Sequence, residues 1–423
     1  MAEVPEELAD RIRSAVDRDR LVRWASQAIN VPSFTGSEEQ MAELMSATFA
    51  EMGLRSQWQQ VEDGRANVLG TRHGVGGGPT LMFNGHMDTS YSGREPWLAH
   101  VPGFQPNAFV EDGRLYGLGI SNMKGALACY IEAIRALADA GVALKGDLMI
   151  AAVCGEIEKT QWGDAQGAEY RGYAVGSHHL VGHGGVADMC ILGEPTEGKV
   201  VLAHFGSLWL RVSTQGNFIH TAFSENKKDQ NSILRMQDVL AALREWIPTW
   251  EQDPANSYRG TQAIVNVGAI NGGFGWRVSR TPHRTDVFLD VRVPPTKSMA
   301  AARREVLGMA RELAERFPDY GVEAEVYVTA PGAEIAEDHA LVGAVDEAHA
   351  AVFGAVPERD ATRWFSDASV LTRYGIATVN YGTSTGLMDT ARGENLEIDG
   401  LVQTATVYAL AATRVCGTTG GNE

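Results

Sequence analysis

Apolar residues follow two different rhythms along this chain, and the change between them near residue 200 marks its organisation. Over the first fifty residues they recur every three or four positions. That spacing predicts two amphipathic helices split by the turn Val31-Pro32-Ser33-Phe34-Thr35-Gly36-Ser37, with Ser37 and Glu38-Glu39-Gln40 opening the second. Short, continuous apolar runs follow: Thr80-Leu81-Met82-Phe83, Leu148 to Val153 and Ala187 to Leu192. Runs of this kind suit strands covered on both faces. Their alternation with helices predicts an α/β sheet with right-handed crossovers.

From about residue 200 the order changes. A strand at 207–212 leads to a helix at 233–246, two strands near 263–267 and 285–293, a helix at 299–317 and a strand at 323–329. This βαββαβ order predicts a small α+β domain inserted in the larger one. The first rhythm returns from about 338 to 415. The expected division is therefore 1–199, an insert at 200–330, and 331–423 as the second part of the first domain. No internal repeat and no long linker interrupt it.

Bulk properties narrow the function. The 423 residues exceed what one simple core holds. A hydrophobic share of 44% with 21% charged residues fits a globular chain rather than a disordered one. The formal charge of -17 is spread along the chain, so it reads as a solvated surface that repels nucleic acid and anionic membranes. Cys129, Cys154, Cys190 and Cys416 form no C-x-x-C pair, and three sit in apolar runs, as buried free thiols do. The N-terminus is charged and amphipathic, without an apolar signal core, and no window approaches 18 apolar residues. A cytoplasmic, reducing location is the expectation.

In open α/β sheets ligands bind beyond the carboxyl ends of the strands, so the residues there carry the chemistry. They are Asn84-Gly85-His86-Met87-Asp88-Thr89, Cys154-Gly155-Glu156-Ile157-Glu158, Gly193-Glu194-Pro195-Thr196 and Gly382-Thr383-Ser384-Thr385-Gly386. A histidine and several carboxylates converging there suit Zn, Mn, Co or Fe, with Asp88 orienting His86. H-x-D alone is a weak signal; four agreeing strand ends are a stronger one. His178, His179 and His183 have metal-ligand spacing, but Gly176, Gly182, Gly184 and Gly185 favour a loop there.

These runs, with Tyr116 to Gly125, Gly216-Asn217-Phe218-Ile219-His220 and Asp290-Val291-Arg292, resemble the successive motifs of the M20 metallohydrolases over nearly the whole chain. The resemblance implies a catalytic domain with a mixed, mostly parallel sheet flanked by helices. It also implies an inserted lid that mediates a homodimer or larger homo-oligomer. The family usually binds two metals through the His of H-x-D, a bridging Asp, the second Glu of a Glu-Glu pair, an acid before Pro-Thr and a late His. His86 and Glu194 stand at their places, and Glu156 at that of the general base. The bridging Asp is Asn122, the second Glu is Ile157, and the late His falls on Thr390, beside Asp389. The expectation is one labile divalent transition metal held by His86, Glu194 and Asn122, with Glu156, Asp88 and the lid residue His220 as the catalytic set. A register shift that brings in Glu158 is the alternative for the missing ligand.

Losing one metal withdraws a sink for the negative charge of a tetrahedral intermediate. An aromatic ring with an electron-withdrawing group holds that charge itself. Trp162, Trp209, Phe218, Trp276, Trp364 and Phe365 would admit a flat ligand. Arg277, Arg292, Arg363 and Arg392, with Asn266, are candidate anchors for a carboxylate or nitro group. Within the family, the resemblance implies a carboxylated aromatic substrate, 5-nitroanthranilate, whose ring amino group is replaced by hydroxyl; composition and spacing do not show this. An N-acyl-amino-acid or dipeptide hydrolase with one metal is the second reading, and a non-catalytic ligand-binding relative the third.

Overall fold

A computed structural model describes residues 5–383 and 391–419, in two compact units. The larger consists of Met1–Leu202, Glu334–Asp360 and Ser366–Glu423; the smaller consists of Ala203–Ala333 with Ala361–Phe365.

The larger unit is built on a mixed sheet. Its strands run in the order Arg55–Glu62, Arg65–Arg72, Leu148–Val153, Leu81–His86, Met189–Leu192 and Ala377–Asn380, continuing to Val200–His204 and Ala333–Glu334. The four strands from Leu148–Val153 to Ala377–Asn380 are parallel to one another; the pairings that flank them are antiparallel. The parallel strands at the centre are buried almost throughout, as strands covered on both faces are. On one face Phe83 stacks on Tyr130 at 4.8 Å, with Tyr408 close by, so the helices Gly125–Asp139 and Ile398–Cys416 form the main core with the sheet. Gly85 lies on the same face, where a Cβ would meet Met123 at 2.8 Å and Leu127 at 2.9 Å. By alternation, Asn84 and His86 point to the other face.

Two sequence expectations need correction. The first fifty residues form three helices, Glu6–Ala15, Arg18–Asn30 and Glu39–Glu51, because Asp17 accepts from the Arg20 amide and opens a new helix inside the expected first one. The glycine-rich stretch near His178 is the helix Val175–Gly182, not a loop. Gly176 is required there, since a Cβ would strike the Cys154 carbonyl at 2.2 Å.

The smaller unit has the expected βαββαβ order. Its antiparallel sheet runs Val265–Gly272, Arg284–Val293, Gly206–Gln215, Glu323–Ala330. Strict alternation of burial along Arg284–Val293 puts Val287, Leu289 and Val291 against the helices Ser232–Gln252 and Met299–Arg316. The edge strand Val265–Gly272 is exposed along nearly its whole length. All four cysteines are free and buried. Among the described residues, no helix is long and apolar enough to cross a membrane.

Candidate active site

Three neighbouring parallel strands end in residues that meet in one buried cluster. Leu81–His86 ends on His86, Leu148–Val153 leads through Gly155 to Glu156, and Met189–Leu192 leads to Glu194. One ligand atom from each of His86, Glu156 and Glu194 lies within 4.8 Å of the others, and all three side chains are buried. His86 Nδ1 lies 2.8 Å from the Asp88 carbonyl oxygen, a contact that an N–H there satisfies. Its Nε2 is 3.0 Å from Asn122 Oδ1 and 3.8 Å from Glu156 Oε2. Glu194 Oε1 has no hydrogen-bond partner.

The surrounding chain fixes this arrangement. Asp88 accepts from the Thr35 hydroxyl at 2.9 Å and from the backbone amides of Glu156 at 3.1 Å and Ile157 at 3.3 Å. It therefore locks the turn that carries Glu156 to the His86 strand. Gly155 makes that turn at φ +66°, where a Cβ would also collide with Arg65 Nη2 at 2.3 Å. Asn122 sits in an irregular turn before helix Gly125–Asp139, and Glu394 accepts from the Ser121 amide at 3.1 Å to hold it. Thr196 Oγ1 accepts from the Gly382 amide at 2.9 Å, which pins the Glu194 loop to the end of Ala377–Asn380.

Electrostatics follow from the burial. Burial alone would lower the His86 pKa, but Asp88, Glu156 and Glu194 override it and lift the imidazole well above its usual 6.5. Burial and the Glu194 charge push Glu156 well above the carboxylate range. Burial likewise raises Glu194 to about 7, against the opposing pull of His86. Asp88 stays low despite burial, because His86, the Glu156 amide and Thr35 all favour its ionised form. A buried carboxylate with a raised pKa can take a proton and give it back. An imidazole, carboxylates with an unpartnered oxygen and an amide oxygen form a donor set that fits a divalent transition metal.

The other candidates are placed as follows. Ile157 is buried, and Glu158 lies outside the cluster, so the register-shift alternative gains no support. Arg392 is exposed, donates to the Tyr116 hydroxyl at 2.9 Å and pairs with Glu111 at 3.3 Å. His220, Asn266, Arg277 and Arg292 belong to the smaller unit. There Asn266 and Arg277 are exposed, and His220 Nδ1 accepts from the Ala222 amide at 3.2 Å. Arg292 is bonded to Asp290 at 2.7 and 3.1 Å and to the Arg363 carbonyl at 3.2 Å. Asp389 and Thr390 lie outside the described residues. His179 and His183 stack at 3.7 Å without a carboxylate or cysteine to complete a cluster among the described residues. Sequence reasoning missed Thr35 and the buried acid Asp367, whose only signal was a lone acid before an apolar run, and it used Glu394 only to place the late His on Thr390.

Residues 82–414 match the profile of Peptidase family M20/M25/M40. The chain belongs to this family. Acetylornithine deacetylase of Vibrio vulnificus (strain CMCP6) is 27% identical over 331 residues, 77% of this chain and 80% of that one. Succinyl-diaminopimelate desuccinylase of Halorhodospira halophila (strain DSM 244 / SL1) is 27% identical over 369 residues, 85% and 88% of the two chains. The crystal structure of aminopeptidase PepT from Bacillus cereus ATCC 10987 superposes with a TM-score of 0.73 at 20% identity, over 95% of this chain and 99% of that one. As an M20/M25/M40 protein the chain is a metallohydrolase with the family's α/β fold.

Proposed function

We propose that this metallohydrolase works with one divalent cation and acts as an aminohydrolase. In this reading it replaces the ring amino group of a carboxylated nitroaromatic, 5-nitroanthranilate, by hydroxyl and releases ammonia. The observation that carries it is the pair Asn122 and Ile157: a neutral amide faces His86 Nε2, and buried hydrocarbon follows Glu156, where a second cation would need carboxylates.

His86 and Glu194 would hold the ion, with the Asn122 oxygen as a weak third donor and Mn, Zn, Co or Fe as the candidates. So few anionic ligands make it labile without substrate. A bound divalent cation supplies a Lewis acid that makes nearby water more acidic. Glu156 takes the proton as the water oxygen bonds to the ring carbon bearing the amine. The electron pair moves into the ring and the para-nitro group. Glu156 then gives its proton to the nitrogen, the C–N bond breaks, and ammonia leaves; a raised pKa suits both transfers. The ring takes over the charge that a second ion stabilises in amide hydrolysis. Arg277, Arg292, Arg392 and Asn266 are the proposed anchors for substrate, His220 the lid contact, a homodimer through the smaller unit the assembly, and the cytoplasm the location.

The deacetylase and desuccinylase relatives favour a second reading, one-cation hydrolysis of an N-acyl amino acid. A substrate panel with added Mn, Zn, Co or Fe separates the two. Ammonia and 5-nitrosalicylate from 5-nitroanthranilate support the first, and cleavage of N-acetyl or N-succinyl amino acids supports the second. Binding without turnover under every metal would leave the non-catalytic relative.

A further inference from the structure

The sheet face that carries His86 holds more unpartnered polar atoms than its hydrogen bonds explain. Asp367 is 1% exposed, and neither carboxylate oxygen has a hydrogen-bond partner. Both amide atoms of Asn84, the Ser177 hydroxyl and Glu194 Oε1 are in the same condition. Asn84 shares its strand face with His86. Ser177 is buried on the helix Val175–Gly182, which packs against the helix Ala368–Leu371 that Asp367 opens. That short helix leads to Ala377–Asn380, the strand paired with Met189–Leu192, whose end presents Glu194. The orphaned groups thus sit on elements that adjoin the strands ending in His86 and Glu194.

An unpaired carboxylate in such a place is expensive. Leaving a buried charged group without a partner costs several kcal/mol, so it is held neutral or is matched by a cation. Asp367, buried with both oxygens unpartnered, is such a carboxylate. The cation proposed above needs a second one, since Glu194 alone leaves a divalent ion under-neutralised.

We propose that Asp367 belongs to the cation site: it is a positioning residue that stands behind His86 and Glu194 and supplies the second negative charge a divalent ion requires there. This rests on the one-cation reading above and adds to it the residue that makes one cation tenable. Ser177 and Asn84 are then polar groups for water beside Asp367.

The test is a calorimetric titration of Mn, Zn or Co into metal-free protein, with thermal unfolding measured with and without the metal. Asp367→Asn should weaken binding about 10- to 100-fold, the usual effect of losing a group that supports metal ligands. The metal-free variant should melt no lower than wild type, because a buried orphan charge is gone, while its metal-induced rise in Tm shrinks. Asp367→Glu, which keeps the charge, should recover part of the affinity. If Asp367→Asn does not fold, Asp367→Ser repeats the comparison. A folded neutral variant with wild-type affinity and an unchanged metal-induced shift in Tm overturns the role of Asp367. Wild type that takes up no divalent metal overturns the cation site itself, a separate failure.

Discussion

Glu156 and His86 face each other across 3.8 Å in a pocket that excludes solvent, and each shifts the other's protonation. Glu156→Gln keeps the shape and removes the proposed base. We expect it to cut turnover by about 10²- to 10⁴-fold with an unchanged circular dichroism spectrum and Tm. Substantial residual activity would exclude Glu156 as the base. The His86 shift sets a pH dependence. Its pKa stands well above 6.5, so the metal-free protein holds that proton at neutral pH, whereas a cation on Nε2 needs the neutral ring. Glu194, raised to about 7, also keeps a share of a proton at pH 7. Metal binding should therefore release protons and weaken as the pH falls from 8 to 6. Calorimetry in buffers of different ionisation enthalpy measures the release; a heat independent of buffer would contradict it.

Between elements, a buried ion pair carries the geometry. Arg65, on the strand Arg65–Arg72, bonds both oxygens of Glu38 at 2.7 and 2.8 Å, and both side chains are fully buried. The same guanidinium donates to the carbonyl of Arg171 at 2.8 Å and lies against Gly155. Arg65→Met leaves Glu38 uncompensated and should cost about 3–5 kcal/mol in urea unfolding, whereas Arg65→Met with Glu38→Leu should recover most of it. A single variant as stable as wild type would mean that the pair is dispensable. Thr35 is a gentler probe. Thr35→Val removes one hydrogen bond to the buried Asp88 carboxylate and should cost about 1–3 kcal/mol. Because Asp88 also orients His86, metal affinity should fall with it.

At the scale of the whole molecule, the edge strand Val265–Gly272 stands exposed at the surface. It presents Val267 at 40% and Ile270 at 54% exposure beside unpaired backbone groups, which soluble proteins normally cover or blunt. With a homodimer through this unit as the expected assembly, Ile270→Lys should move the sedimenting species from dimer to monomer. A dimer that survives the substitution uses another surface.

The continuous apolar runs at 81–83, 148–153 and 189–192 specified the buried parallel strands, because only a strand covered on both faces is apolar at every position. The same logic put His86, Glu156 and Glu194 at strand ends, where a parallel sheet collects them. Position along the chain could not show what Asp17 does. Its cap opens a second helix inside the expected one, and both helices still bury their apolar faces. Nor could spacing single out Thr35 or show what Glu394 holds: they bond to Asp88 and Ser121 from 53 and 273 residues away. The amino-acid sequence alone says that an amide stands at 122 and a hydrocarbon at 157, because those are chemical identities. The tertiary structure alone decided which charges are buried together, since burial and proximity are properties of packing and set every shifted pKa in the site.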